Sequence, residues 1–192
     1  ETNLLVRIFK KKRYKNLPKG LYLWGGVGRG KTFLMDLFFD SLPLKRKTRL
    51  HFHRFMMAVH LALSEFQGRP NPLKLVAEKF HREATVLCFD EFYVSDIGDA
   101  MLLDGLLQEM FSIGMIFVAT SNVPPHRLYE NGLQRAKFLP AIALIEKHTH
   151  VHELAAGPDY RFRDLKSAGI YHYPLGDSSE EALERIFQSI CN

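Results

Sequence analysis

The chain has 192 residues, 46% hydrophobic and 24% charged, enough for one sizeable core and too few for two full domains. Its formal charge of +5 belongs to one end: residues 1–20 hold seven Lys and Arg against one acid, while the remainder carries 19 basic and 20 acidic residues. No apolar run approaches the ~20 residues that cross a bilayer, which excludes an integral membrane protein over this segment.

Two cysteines, Cys88 inside an apolar run and Cys191 beside the last residue, provide neither a disulfide framework nor zinc spacing. They fit a reducing compartment. The first residue is Glu1 rather than Met and no apolar leader follows, so the expectation is a piece of a longer protein.

Residues 1–19, with Arg7 and the run Lys10-Lys11-Lys12-Arg13-Tyr14-Lys15, read as a basic segment or linker. From Leu21 short apolar strands alternate with longer amphipathic stretches, the pattern of a parallel sheet covered by helices. Leu21 to Trp24 is the first strand, and Lys31 to Phe39 a helix stopped by Pro43. Arg49 to Phe52, or one residue further, is the second strand, with a helix from about Met56 to Phe66. Arg69-Pro70-Asn71-Pro72 breaks the chain before a short helix near Leu73 to Phe80.

Thr85 to Phe89 is apolar on both faces, as a buried central strand must be. Ile97 to Ser112 forms a helix capped by Asp96, its stripe read as Met101, Leu102, Leu106, Met110 and Phe111. Met115 to Thr120 is another buried strand, Leu133 to Glu146 a helix, and Thr149 to Leu154 the fifth strand. The core thus spans 20–156. Residues 157–192 form an appendage, with a hairpin at Tyr160 to Leu165 and Ile170 to Tyr173 and a helix from Ser178 or Ser179 to Ile190.

Gly25-Gly26-Val27-Gly28-Arg29-Gly30-Lys31-Thr32 matches G-x-x-x-x-G-K-[ST] between a strand and a helix, the context that gives this motif meaning. Its glycines let backbone N–H groups turn inward around phosphate oxygens, and the helix N-terminus adds partial positive charge. Lys31 would reach the β- and γ-phosphates, and the Thr32 hydroxyl would ligate Mg²⁺. Asp90-Glu91 follows a buried strand, at the edge where open α/β sheets bind ligands. Asp90 would hold Mg²⁺ through water, and Glu91 would act as general base toward the attacking water.

Asn122 ends the neighbouring strand and could orient that water; a turn residue before Pro124-Pro125 is the alternative. Arg135, with Lys137 and Arg127 nearby, is either a solvated cation or a residue offered to a γ-phosphate across a subunit boundary. His51 and His53 on one strand, and His148, His150 and His152, share faces by i, i+2 spacing but have no Cys or carboxylate at metal-ligand spacing. Met56, Met57, Phe52, Phe55 and Trp24 read as core.

These residues together resemble the ZapE family of bacterial cell-division ATPases and its mitochondrial relatives. The resemblance rests on Leu23 to Thr32, His51-Phe52-His53, Cys88 to Phe92, Ala119 to Asn122 and Asn131 to Arg135, and covers roughly residues 20–175. It implies a RecA-like AAA+ core, a P-loop NTPase with a five-stranded parallel sheet of order 5-1-4-3-2, and ATP between subunits of a ring. On that pattern Gly25 to Thr32 is Walker A, Asp90-Glu91 Walker B, Asn122 sensor 1 and Arg135 the arginine finger. Bacterial members are associated with the FtsZ ring and the cytoplasmic face of the inner membrane, mitochondrial ones with protein quality control. The family's ATPases carry a helical lid with a sensor 2 arginine; Arg161 and Arg163 precede the one helix that follows the core here, and neither is assigned that role.

Three functions compete: an ATP-driven remodeller of a protein partner, a nucleic-acid loader or helicase-type ATPase favoured by residues 10–15, and a nucleotide-dependent scaffold. No aromatic-interleaved platform for single strands is evident, which ranks the loader second. Glu91 argues against the scaffold. No N-K-x-D element indicates a GTPase, and no acceptor pocket indicates a small-molecule kinase.

Overall fold

The computed structural model describes residues 18–154. Residues 18–26 and 30–154 belong to one compact unit, and Val27–Arg29 fall in a second. The basic segment, the predicted hairpin and the predicted C-terminal helix lie outside the described residues.

Five strands, β1 (Gly20–Trp24), β2 (Lys47–His51), β3 (Val86–Asp90), β4 (Ile116–Ser121) and β5 (Thr149–Glu153), form one sheet. All neighbours are parallel, in the order β2-β3-β4-β1-β5, the expected 5-1-4-3-2 seen from the other edge. The helices are α1 (Lys31–Ser41), α2 (Phe52–Glu65), α3 (Pro72–Glu83), α4 (Ile97–Ser112) and α5 (Leu139–His148).

Because side chains alternate across a strand, β3 feeds two cores. Leu87 and Phe89 join Phe117, Tyr22 and the buried faces of α2 to α5 in a large cluster. Val86 and Cys88 join Val118 and Met35 of α1 in a small one on the opposite face. The large core is rich in aromatic contacts: Phe92 meets Phe52 at 4.4 Å and Phe117 at 5.2 Å, and Phe89 meets Phe55 at 4.8 Å, measured between ring centroids.

Several boundaries differ from the sequence reading. The second strand ends at His51, and α2 begins at once with Phe52. The reason is packing: Phe52, Phe55, Met56, Val59 and Ala62 make one continuous buried face, so the first turn is held as firmly as the second. His53 is therefore helical, and Met57, one position round from Met56, is 68% exposed rather than core.

The helix read from Leu133 starts only at Leu139. Gln134 adopts positive φ, which a helix does not tolerate, and a 3₁₀ turn at Arg135–Lys137 fills the gap. Pro140 in the first turn of α5 suits a helix start. In α4 the buried stripe is Ala100, Leu103, Leu106, Leu107 and Met110, with Met101 and Phe111 only partly buried. So many apolar residues surround this helix that its face cannot be read from periodicity. Its cap is as predicted: Asp96 Oδ1 accepts the Asp99 N–H at 3.1 Å.

Candidate nucleotide site

Strand register aligns the site. His51 lies opposite Asp90, Leu23 opposite Thr120, and Trp24 opposite Ser121, so four strands finish at one edge of the sheet. The glycine loop leaves β1 there, and the Gly25 N–H donates to the Ser121 carbonyl at 3.2 Å. A Cβ on Gly25 would stand 2.9 Å from the Leu154 carbonyl oxygen, so this close approach requires glycine. Gly30 at φ 74° turns the chain into α1.

Lys31 bends its ammonium back over the loop, donating to the carbonyl oxygens of Gly25 and Gly26, both at 2.6 Å. The first turn of α1 contains no acidic residue and Gly30 offers no side-chain cap, which suits N–H groups with positive partial charge turned to an anion. Glycine turns, an uncapped helix end and a lysine held over the loop fit a phosphate chain. Thr32, the expected metal-ligating hydroxyl, is exposed in that first turn. Val27, Gly28 and Arg29 complete the loop in sequence; Val27 is exposed.

Asp90 ends β3 with its carboxylate mostly shielded, its side chain 14% exposed. Both its oxygens are engaged by one guanidinium: Arg49 Nε donates to Oδ2 at 2.7 Å and Nη2 to Oδ1 at 3.2 Å. Arg49 Nη1 also bonds Asp36 Oδ1 on α1. The hydrogen bonds to Asp90, and secondarily that to Asp36, raise the Arg49 pKa above its already high value despite the opposing effect of burial.

Glu91 adopts φ 53°, a left-handed conformation unusual for a residue with a Cβ. Its neighbours impose it. Phe92 is buried in the aromatic cluster, its N–H donates to the Thr120 carbonyl at 2.7 Å, and its carbonyl accepts from Ser121 Oγ at 2.8 Å. The Glu91 N–H donates to Thr120 Oγ1 at 3.2 Å. The carboxylate is thereby turned out of the sheet into solvent, 80% exposed, with His51 Nδ1 3.9 Å from Oε2. An exposed carboxylate at the sheet edge from which the glycine loop leaves could take a proton from water.

Asn122 is exposed one residue beyond β4. The turn carrying it is held by the Val123 N–H on Ser121 Oγ and by Tyr22 OH on the Val123 carbonyl. Burial raises the Tyr22 pKa above the usual phenol range, so it remains a donor. Arg135 is tied to a different segment, Nη2 donating to the His126 carbonyl at 2.6 Å, with Nε buried and unpartnered among the described residues. Arg127 pairs with Glu130. The histidines do not form the arrays read from spacing: His53 is in α2 and His148 ends α5, leaving His150 and His152 on β5. Among the described residues no three His, Cys, Asp or Glu side chains are grouped to hold a metal.

Sequence reading missed Arg49, Asp36 and Thr120. An arginine near the end of a strand hints that its charge needs a partner, but which partner follows only from the pairing of β2 with β3.

The family model for AFG1-like ATPases matches residues 2–192. The chain belongs to the AFG1-like ATPase family. It is 53% identical over 182 residues to the cell division protein ZapE of Escherichia coli K12, covering 94% of this chain and 48% of that protein. It is 40% identical over 185 residues to lactation elevated protein 1 homolog B of Danio rerio, covering 90% of this chain and 37% of that protein. This AFG1-like chain therefore spans about half or less of the length of the curated relatives it matches. A crystal structure of a candidate primosome component from Streptococcus pyogenes serotype M3 superposes with a TM-score of 0.52 at 23% identity, over 79% of this chain and 76% of that one. With the sheet order above, these likenesses identify the P-loop AAA+ fold.

Proposed function

We propose that this AFG1-like chain hydrolyses ATP in a Mg²⁺-dependent reaction and uses the energy to remodel a protein partner. The observation that carries the reading is the meeting, at one sheet edge, of the Lys31 loop with Asp90 and the outward-turned Glu91.

Backbone N–H groups of Gly25 to Thr32 bind the phosphate chain, and Lys31 pairs with its terminal charges. Thr32 and Asp90 would hold Mg²⁺, and the ion would neutralise charge on the phosphates. Glu91 takes a proton as the water oxygen bonds to the γ-phosphorus; the bond from that phosphorus to the bridging oxygen breaks, and the electron pair leaves on ADP. Asn122 orients the water. Arg135, supplied by a neighbouring subunit of a homo-oligomer, stabilises charge developing on the γ-phosphoryl group.

The likeness to a protein named for cell division supports a role in that process; FtsZ as the partner and peripheral association with the cytoplasmic face of the inner membrane at the division site follow from the family resemblance. Nucleic-acid loading draws on the basic residues 10–15, and the likeness to a primosome component is one of fold alone.

The test is ATP hydrolysis per subunit against protein concentration, with Glu91→Gln and Arg135→Ala beside the parent. The expected result is turnover that climbs with concentration and collapses in both variants while Glu91→Gln still binds ATP. Concentration-independent turnover untouched by Arg135→Ala overturns the shared site. ATP binding without turnover in the parent replaces the remodeller by a scaffold.

A further inference from the structure

The mechanism above gives Asp90 to a cation, yet its carboxylate already has an occupant. Arg49 stands opposite Cys88 in register, so its side chain lies on the face shared by Cys88, Asp90 and α1. From there it spans two carboxylates, forking onto both oxygens of Asp90 and reaching Asp36 on the helix that begins at Lys31. The Arg49 and Asp90 side chains are only 20% and 14% exposed, so solvent and salt screen this pair far less than a surface pair.

We infer that the Asp36–Arg49–Asp90 arrangement sets the metal affinity of the site, Arg49 acting as a resident counter-ion with which a divalent cation must share Asp90. The inference rests on the nucleotide-site reading. A guanidinium stays charged at any pH the protein meets, and its fork matches a carboxylate, so it is a persistent competitor. Metal bound through Asp90, directly or through water, gives up part of that carboxylate's charge and feels the nearby positive charge. Asp36 acts in the opposite sense, drawing the guanidinium toward α1 and offsetting its charge. The consequence is conditional metal binding: Asp90 and Thr32 hold the cation weakly until nucleotide phosphates supply further ligands. Arg49 is thus a positioning residue that disfavours metal loading ahead of nucleotide.

The experiment is a Mn²⁺ titration of the 192-residue chain followed by electron paramagnetic resonance, with and without AMPPNP, while AMPPNP affinity in EDTA is measured separately by calorimetry. The parent is expected to bind Mn²⁺ tightly only with AMPPNP. Arg49→Met is expected to lower the half-saturating Mn²⁺ by about tenfold, the size of a modest charge–charge interaction, and to allow binding without nucleotide. Asp36→Asn is expected to raise it severalfold, and both variants to keep parental AMPPNP affinity in EDTA. Opposite shifts from neighbouring residues are not what general loosening of the fold produces. Unchanged or weaker Mn²⁺ binding in Arg49→Met overturns the inference. Should that variant fail to fold, Arg49→Lys keeps a charge without the fork; a smaller shift in the same direction supports the inference, and no shift overturns it. Failure of the parent to bind AMPPNP under any condition overturns the nucleotide site itself, and the inference with it.

Discussion

Thr120→Val is the sharpest probe of how Glu91 is held. Thr120 is 3% exposed; its hydroxyl accepts the Glu91 N–H at 3.2 Å and reaches the Phe89 carbonyl only at 3.5 Å. Valine fills the same volume, so the loss is the acceptor. Leaving a partly buried N–H unpaired costs ~1–2 kcal/mol, and the extra buried methyl offsets some of it, for a net of about 1 kcal/mol. In a chain of this size that lowers the melting temperature by about 2–4 °C.

With Glu91 as the proposed general base, the larger effect falls on chemistry. The left-handed conformation of Glu91 costs ~1–2 kcal/mol, comparable to the hydrogen bond that helps hold it. Once that bond is gone, relaxation of the backbone moves the carboxylate, and displacement of a reacting group by about 1 Å costs on the order of 100-fold in rate. The expected result in steady-state ATPase assays is a kcat lowered about 10- to 100-fold with the KM for ATP within about twofold. Thr120→Ser, which keeps the oxygen but loses the methyl, should recover most of the kcat while melting below the parent. Parental turnover in Thr120→Val, or an equal loss in Thr120→Ser, would refute the reasoning.

Gly20→Ala should abolish folding or cost more than ~3 kcal/mol in urea unfolding, because the new Cβ would meet the Phe117 carbonyl oxygen at 1.7 Å and neither strand can move within the sheet; a soluble variant of parental stability contradicts this. Burial first, then the Lys147 and Lys19 charges, lower the pKa of His148, which stacks on Phe111 with ring centroids 4.2 Å apart; burial and Arg46 lower that of His81. With folded pKa values below the unfolded value of about 6.5, these histidines contribute stability that is present above that pH and lost as pH falls through it toward the folded values. Melting temperature should therefore drop between pH 7 and 5.5, less steeply in His148→Phe; parallel slopes would remove His148 from the explanation.

The sheet and the glycine loop were legible because they rest on local pattern. A run such as Thr85 to Phe89 is apolar on both sides only where both faces are covered, and a glycine loop between strand and helix has few other uses. Arg49 was not legible, since its pairing with Asp90 depends on the register of β2 against β3, which no local pattern states. The conformation of Glu91 was hidden for a related reason: it follows from anchoring Phe92 among distant rings and from a hydroxyl 29 residues away. His53 and His148 misled because i, i+2 spacing has meaning only if both residues share a strand. The helix was read from Leu133 to Glu146, while the backbone has positive φ at Gln134 and turns helical only from Leu139.

The uneven covering of the sheet bears on the order in which the structure comes apart. α1 buries only Met35 fully among the described residues and leaves Phe33 and Leu37 exposed at 68% and 58%, whereas α4 buries five side chains. A helix with so little sequestered surface opens in a partial, sub-global fluctuation well below the free energy of complete unfolding, and its amide protons should exchange with solvent before those of α4. Its first residue is Lys31, so any ligand held there must be released before the helix can open. A ligand at 100 times its dissociation constant adds ~2.7 kcal/mol to that opening. Nucleotide would then do for the thinly covered face what packed side chains do for the other, and its hydrolysis and release would return α1 to being the first cooperative unit to open.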